Sequence, residues 1–116
     1  MIIVKLIGGL GNQMFQYALG RQLAKKINAE LKIDIEGFKN YELRNYDLKY
    51  FNILENIATS YDLSKVFFPS DTLFRKFVKQ IKVKFSDARE IEYIKENRLN
   101  FQSDILTLGD NIYLDG

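Results

Sequence analysis

Apolar and polar positions in the first third of the chain predict three elements in succession. Residues 1–7 are a nearly continuous aliphatic run ending at two glycines, which is typical of a strand buried on both faces of a parallel sheet. From Leu31 to Ile35 apolar and charged residues alternate, which predicts a second strand. Between the two strands, apolar residues recur at the spacing of one helix face: Met14, Phe15, Ala18, Leu19, Leu23 and Ile27.

Strand, glycine turn, helix and strand form a βαβ unit. We therefore predict an α/β fold, a mostly parallel sheet with flanking helices. We expect Gly11 or Asn12 to cap the first helix and Asn28 to end it in the left-handed conformation.

The remainder of the chain gives less regular patterns. Residues 38–56 are rich in tyrosine, asparagine and charge and follow no single period, so we predict a surface loop with short extended pieces. A helix is predicted from its cap at Ser60 through Phe68, and a second one over residues 70–85. Short strands are predicted at Ile91–Ile94 and Asn111–Leu114.

The composition narrows the chemistry. With 116 residues, 47% of them hydrophobic, the chain suits one domain. It contains no cysteine and no histidine, which excludes disulfide scaffolds, zinc fingers, thiol nucleophiles and histidine bases within these residues. Acid or base chemistry must use carboxylates, tyrosine or lysine. No spacing of metal ligands is present, so we expect no metal.

Positive charge is concentrated in one segment. Residues 65–89 carry a net charge of +5 and the rest carries −3. The predicted helix 70–85 therefore presents either a solvated basic face or a surface that binds a membrane or a nucleic acid. Such binding would depend steeply on salt concentration. The apolar start of the chain is too short for a signal peptide or a membrane span, so we expect a cytoplasmic protein.

The glycine turn after the first strand is the best candidate for a binding site. Gly8, Gly9 and Gly11 allow close approach of a ligand, and the N–H groups at the start of a helix favour an anion such as phosphate. Asn12 and Gln13 would add side-chain donors. An equally simple interpretation is that the glycines only form the turn and that Asn12 only caps the helix.

Known phosphate motifs fit this turn incompletely. A P-loop fails because Gly11 is not followed by lysine. A dinucleotide site would use Gly9, Gly11 and Asp34, the last to hold a ribose hydroxyl. Its third glycine is replaced by Met14, which we expect to impede packing of helix on strand. An NAD-binding oxidoreductase domain stays an alternative, as does a basic module that binds membrane or nucleic acid.

The string from Gly8 to Ala18 resembles the N-terminal signature of bacterial α-1,2-fucosyltransferases of glycosyltransferase family 11. Arg44, Leu48 and Phe51 fit a later segment of that family, and Asn111 to Gly116 resembles its Tyr-Leu-Asp-Gly stretch.

The resemblance implies a cytoplasmic, inverting enzyme of two Rossmann-like lobes that transfers L-fucose from GDP-fucose to the 2-hydroxyl of a galactose. Residues 1–116 would be the N-terminal lobe. The family's His-x-Arg-Arg-x-Asp donor motif is absent because the chain has no histidine. We therefore expect a fragment, without its donor-binding lobe, that transfers no fucose alone and self-associates through an exposed edge or apolar face.

The resemblance also implies roles for particular residues and partners. Gly9, Gly11, Asn12 and Gln13 would face the cleft, with the two carboxamides donating to the diphosphate or to the acceptor sugar. Arg44 would bind a sugar or belong to a loop that covers the core. The partners would be GDP-fucose as donor, with no other cofactor, and a galactose-terminated, lipid-linked oligosaccharide. We expect no nucleic-acid partner, and peripheral contact of the helix 70–85 with the inner membrane face stays the alternative to a solvated face.

Asp34 and Asp115 are the candidates for the catalytic base. Both lie at the ends of predicted strands, and the carboxyl ends of strands border the ligand crevice in such folds. Caps and turns explain aspartates at these positions equally simply, so the base stays unassigned.

Overall fold

A four-stranded, fully parallel sheet forms the centre of the described structure. The computed structural model describes residues 1–67, 91–95, 109 and 111–116. The strands are β1 (Ile2–Lys5), β2 (Leu31–Asp34), β3 (Glu92–Lys95) and β4 (Ile112–Asp115). Their order across the sheet is β2-β1-β4-β3. The described residues also form two α-helices, α1 (Leu10–Lys26) and α2 (Ser60–Phe67). This confirms the predicted α/β, Rossmann-like fold.

The order of the strands places a crevice beside β1. The chain leaves β1 for β2 on one side, and it later returns on the other side through β3 and β4. In open parallel sheets, ligands bind outside the carboxyl ends of the strands at which the order reverses. Here these are the carboxyl ends of β1 and β4, from which Leu6 and Gly116 continue.

Apolar residues cover both faces of β1, as the aliphatic run predicts. Val4 and Leu6 belong to the core under α1, together with Ile33 and Leu114. Ile3 belongs to a second, smaller core on the opposite face, and the other members of that core are Ala58, Ile91 and Tyr113.

Helix α1 is confirmed, and so are the burial of Leu23 and the packing of Leu19 and Ile27 against the core, but Met14, Phe15 and Ala18 were wrongly predicted to lie on the buried face. The side chains of α1 that are buried are Gln13, Gln16, Gly20, Leu23 and Ala24. Met14 is 47% exposed and Phe15 61% exposed, and Ala18 is exposed as well. Met14 was expected to impede the packing of the helix on the strand, but it does not, because it faces away from the sheet.

Gly20 explains the rotation of the helix. A Cβ atom at this position would lie 2.3 Å from Cγ2 of Val4 and 3.0 Å from Cδ1 of Leu31. Only glycine allows α1 to approach the sheet this closely, so the face that contains Gly20 must point inward.

The prediction for the C-terminal end of α1 is confirmed, and the prediction for its N-terminal end is wrong. Asn28 adopts φ 52°, and the Ala29 N–H donates to the Ala24 carbonyl at 2.9 Å, so the predicted left-handed stop is confirmed as a Schellman motif. At the other end the cap is Gly9, not Gly11 or Asn12, and no side chain caps the helix. Gly11 and Asn12 lie inside the first turn.

Helix α2 begins with a capping box. Thr59, rather than the predicted Ser60, accepts a hydrogen bond from the Asp62 N–H through Oγ1, and the Thr59 N–H donates to Oδ2 of Asp62 at 2.9 Å. The same carboxylate pairs with Nζ of Lys32 at 2.9 Å. Burial opposes ionisation of Asp62, but the hydrogen bonds from Thr59 and Lys32 lower its pKa to about 2.

The segment between β2 and α2 contains two 3₁₀ turns, Glu36–Asn40 and Leu48–Tyr50, where short extended pieces were expected. Its end covers the outer edge of β2: the Ile33 N–H donates to the Asn56 carbonyl, and the Ala58 N–H to the Ile33 carbonyl, both at 2.8 Å.

The last two strands are confirmed, each displaced by one residue from its prediction. The predicted basic helix 70–85 lies outside the described residues. Within the described ranges, no helix has the length and apolar character needed to cross a bilayer.

Candidate functional site

The connection from β1 to α1 is a tight turn, residues 8–12, which we call the glycine corner. Gly8 has φ +76°, a left-handed conformation that favours glycine. A Cβ atom on Gly8 would lie 2.7 Å from Nδ2 of Asn12, so the Asn12 side chain folds back over the turn. Asn12 is nevertheless exposed, and within the described part of the chain its carboxamide makes no hydrogen bond.

The glycine corner presents backbone donors that have no partner among the described residues. The first N–H of α1 with an acceptor in the helix is that of Gln13, which donates to the Gly9 carbonyl at 3.1 Å. The N–H groups of Leu10, Gly11 and Asn12 precede it, and no side chain caps them. The first turn holds no acidic residue. The helix dipole therefore gives the corner positive potential that no carboxylate of this turn neutralises.

Arg44 reaches the same corner from a distant part of the sequence. Its Nε atom lies 3.8 Å from the position that a Cβ atom on Gly9 would occupy. Arg44 is exposed, and its guanidinium makes no hydrogen bond or ion pair among the described residues. The structure thus brings Gly9, Asn12 and Arg44 together around the unpaired amides.

Gln13 occupies a different environment from the cleft position that the sequence suggested. Its side chain is fully buried. Nε2 donates to the carbonyls of Gly8 and Asn45, at 3.0 and 2.8 Å, and Oε1 accepts from the Asp47 N–H at 2.9 Å. Both amide hydrogens are therefore used inside the protein.

Asp34 is likewise turned into the protein. It is buried, Oδ2 accepts from the Tyr113 hydroxyl at 2.7 Å, and Oδ1 accepts from the Glu36 N–H at 2.8 Å. Burial raises the pKa of Tyr113, and its hydrogen bond to Asp34 raises it further. The phenol therefore stays protonated and joins β4 to the end of β2.

Asp115 is the more accessible of the two candidate bases. It pairs with Nζ of Lys5 at 2.9 Å and accepts a hydrogen bond from the Tyr93 hydroxyl. Burial alone would raise the pKa of Asp115, but the bonds from Tyr93 and Lys5 and the charge of Lys95 lower it. Asp115 is therefore ionised at neutral pH and a weaker base than a free carboxylate.

The two aspartates lie on the opposite face of the sheet from α1. In register, Lys5 is the neighbour of Asp34 on one side and of Asp115 on the other, and Lys95 follows Asp115. Side chains in one register row share a face. The glycine corner and the aspartates are thus two separate groups at the same edge of the sheet.

Gln16 is a residue of this region that the sequence reasoning missed. Its Oε1 accepts from the Ile7 N–H at 3.0 Å, and Nε2 donates to the Gly116 carbonyl at 2.9 Å. It therefore joins the loops that leave β1 and β4, beside a shallow pocket lined by Phe15, Leu19, Ile94 and Leu114. Its position one turn before Gly20 is the signal that places it on the inward face.

Comparison with known proteins relates part of the chain to a glycosyltransferase. Over 43 residues the chain is 51% identical to an alpha-1,2-colitosyltransferase from Escherichia coli. The matched segment covers 37% of this chain and 15% of the relative. No protein-family model matches the chain, and no solved structure matches it.

Proposed function

We propose that this chain is part of an inverting glycosyltransferase that transfers L-fucose from GDP-fucose to the 2-hydroxyl of a galactose. The observation that carries the proposal is the glycine corner. It combines helix amides, the Asn12 carboxamide and the Arg44 guanidinium on one exposed surface, and none of these groups has a hydrogen-bond partner in the part of the chain that the structure describes. The partial similarity to a glycosyltransferase supports the same class of reaction.

The corner suits the leaving group of such a reaction. When the acceptor hydroxyl attacks the sugar, negative charge develops on the departing diphosphate. Preorganised N–H donors and a guanidinium stabilise that charge, and Arg44 presents a planar donor that matches phosphate oxygens. Asn12 adds a neutral donor beside them.

The base that takes the proton from the acceptor stays unassigned. Asp34 is buried and both of its oxygens accept hydrogen bonds, so it has no access to an acceptor. Asp115 is closer to solvent but is held by Lys5 and Tyr93. As a base it would first have to leave one of these partners.

The sugar and the linkage rest on separate grounds. The relative's name contains the same α-1,2 linkage that we propose, with colitose in place of fucose as the transferred sugar. Fucose as donor sugar and galactose as acceptor come from the resemblance of residues 8–18 to the fucosyltransferase signature.

The geometry gives less support to the dinucleotide alternative. An NAD site would need the Asp34 carboxylate to hold a ribose hydroxyl. Both Asp34 oxygens already accept hydrogen bonds, from Tyr113 and from the Glu36 backbone.

A titration followed by amide NMR tests the proposal. GDP-fucose should shift the amide signals of Leu10, Gly11 and Asn12, and it should do so at a lower concentration than NAD, whose ribose finds both Asp34 oxygens already hydrogen-bonded. Arg44→Gln and Asn12→Ala should each weaken GDP-fucose binding by about tenfold, the effect of losing one charge-assisted or well-placed hydrogen bond. Arg21→Gln, which removes a charge from the exposed side of the same helix, is the matched control and should bind as the wild type does. Unchanged amide signals with GDP-fucose would contradict the assignment of the diphosphate to the glycine corner.

A further inference from the structure

Two glutamines of α1 are buried at positions where apolar side chains would ordinarily fill the core. Both form hydrogen bonds with other segments of the chain. Gln13 and Gln16 are one helical turn apart, on the inward face that continues with Gly20, Leu23 and Ala24. A buried carboxamide is tolerated when its donors and acceptor find partners. Both side chains are fully buried or nearly so, and their partners among the described residues lie outside the helices and strands.

Two of the three hydrogen-bond partners of Gln13, Asn45 and Asp47, lie shortly after Arg44 in the sequence. Its carboxamide binds the Asn45 carbonyl at 2.8 Å and the Asp47 N–H at 2.9 Å, while it also binds the Gly8 carbonyl at 3.0 Å. One side chain thereby joins the segment of Arg44 to the glycine corner. Residues 41–44 are themselves exposed, so burial of their side chains does not fix them.

Gln16 makes the equivalent connection for other segments. It joins Ile7 to Gly116 and has no contact with residues 44–47 among its hydrogen bonds. The two glutamines are therefore a matched pair. They have the same side chain and lie on the same helix face, but they bind different segments of the chain.

We propose that Gln13 is a positioning residue that holds the Arg44 guanidinium over Gly9 by fixing the Asn45 and Asp47 backbone to the glycine corner. The inference rests on the proposed function, since it gives Gln13 a part in building the anion-binding corner. Without these hydrogen bonds the segment gains conformational freedom, and an anion would have to order it at a cost in affinity.

Limited trypsin digestion tests the fixing of the segment. Trypsin cleaves after Arg44, and cleavage after Lys39 serves as an internal reference because none of the Gln13 hydrogen bonds described above is made to that turn. Gln13→Leu should raise the rate of cleavage after Arg44 by about tenfold relative to Lys39, because three hydrogen bonds are lost. Gln16→Leu should leave that ratio unchanged. A ratio in Gln13→Leu equal to that of the wild type would overturn the proposal.

A measurement on the unaltered chain guards against loss of folding in the variants. Since the Asp47 N–H donates to a buried oxygen, its hydrogen exchange should be at least about tenfold slower than that of the exposed Leu43 amide. Equal exchange rates for the two amides would overturn the proposal without any substitution.

Pyrophosphate binding separates this inference from the proposed function. Gln13→Leu and Arg44→Gln should weaken the affinity for pyrophosphate by similar factors, and the double variant should be no weaker than Arg44→Gln. Independent, additive losses would show that Gln13 does not act through Arg44. If the unaltered chain does not bind pyrophosphate, the anion site of the proposed function fails, while digestion and exchange still decide whether Gln13 fixes the segment.

Discussion

Gly20→Ala tests the close approach of α1 to the sheet. In an exposed helix interior, this substitution stabilises a protein by about 0.5–1 kcal/mol, because alanine loses less backbone entropy on folding. At position 20 the added Cβ atom would lie 2.3 Å from Cγ2 of Val4, where an ordinary contact begins at 3.4 Å. The helix or the strand must therefore move by about an ångström.

The magnitude follows from the two opposing effects. Overpacking of a filled core costs about 1–3 kcal/mol, and the upper part of that range applies because Leu31 is also only 3.0 Å away. After the gain in helix propensity is subtracted, we expect Gly20→Ala to lower the free energy of unfolding by about 1–2 kcal/mol. In a Val4→Ala background the loss should shrink by at least about 1 kcal/mol, because the clashing methyl group is gone.

Gly11→Ala is the matched control on the same helix. A Cβ atom at Gly11 meets nothing within 4 Å, so only the propensity gain applies, and the variant should be about 0.5–1 kcal/mol more stable than the wild type. Urea denaturation followed by circular dichroism measures both variants. If Gly20→Ala is as stable as Gly11→Ala, the helix does not approach β1 as closely as described.

Two further stability measurements address the polar contacts. Because the pKa of Asp62 is lowered from 3.8 to about 2 by folding, its contribution of about 1–2 kcal/mol is complete above pH 4 and is lost as the pH falls toward 2. Asp62→Asn should remove this dependence and, by leaving Lys32 unpaired, lower stability at pH 7 by about 1–3 kcal/mol; parallel pH profiles for the two proteins would contradict this. Tyr113→Phe leaves the buried Asp34 carboxylate without its hydroxyl donor and should cost about 1–2 kcal/mol in thermal unfolding, whereas an unchanged transition would mean that this hydrogen bond contributes nothing.

The sequence predicted the strands and the helices better than it predicted their faces. The aliphatic run of residues 1–7 and the alternation after Leu31 are strong signals because the first is apolar at every position except Lys5 and the second alternates without a break. The buried face of α1 was predicted from its apolar residues, so Met14 and Phe15 were placed inside and the glutamines were not. The inward face was in fact set by Gly20, since the close approach of backbone to strand decides the rotation of a helix more strongly than the average polarity of its sides.

The candidate site could be predicted only where it depends on local sequence. The glycine turn follows from local sequence, so Gly9 and Asn12 could be placed at one corner before the structure was known. The approach of Arg44 to Gly9 joins positions 35 residues apart and depends on the Gln13 hydrogen bonds, which have no local signature. Likewise, the contact between Asp34 and Tyr113 crosses the strand that lies between them, which no periodicity reveals.

The register row at the carboxyl edge of the sheet explains how an anion site can stand near two aspartates. Asp34, Lys5, Asp115 and Lys95 alternate in charge across the four strands, so the row carries no net charge. Lys5 is paired with Asp115 at 2.9 Å, and its own charge is thereby offset as well. The start of α1 and Arg44 then both contribute positive potential at the glycine corner. An anion can bind on the α1 side without repulsion from the opposite face, because each carboxylate there already has a cationic neighbour in the sheet.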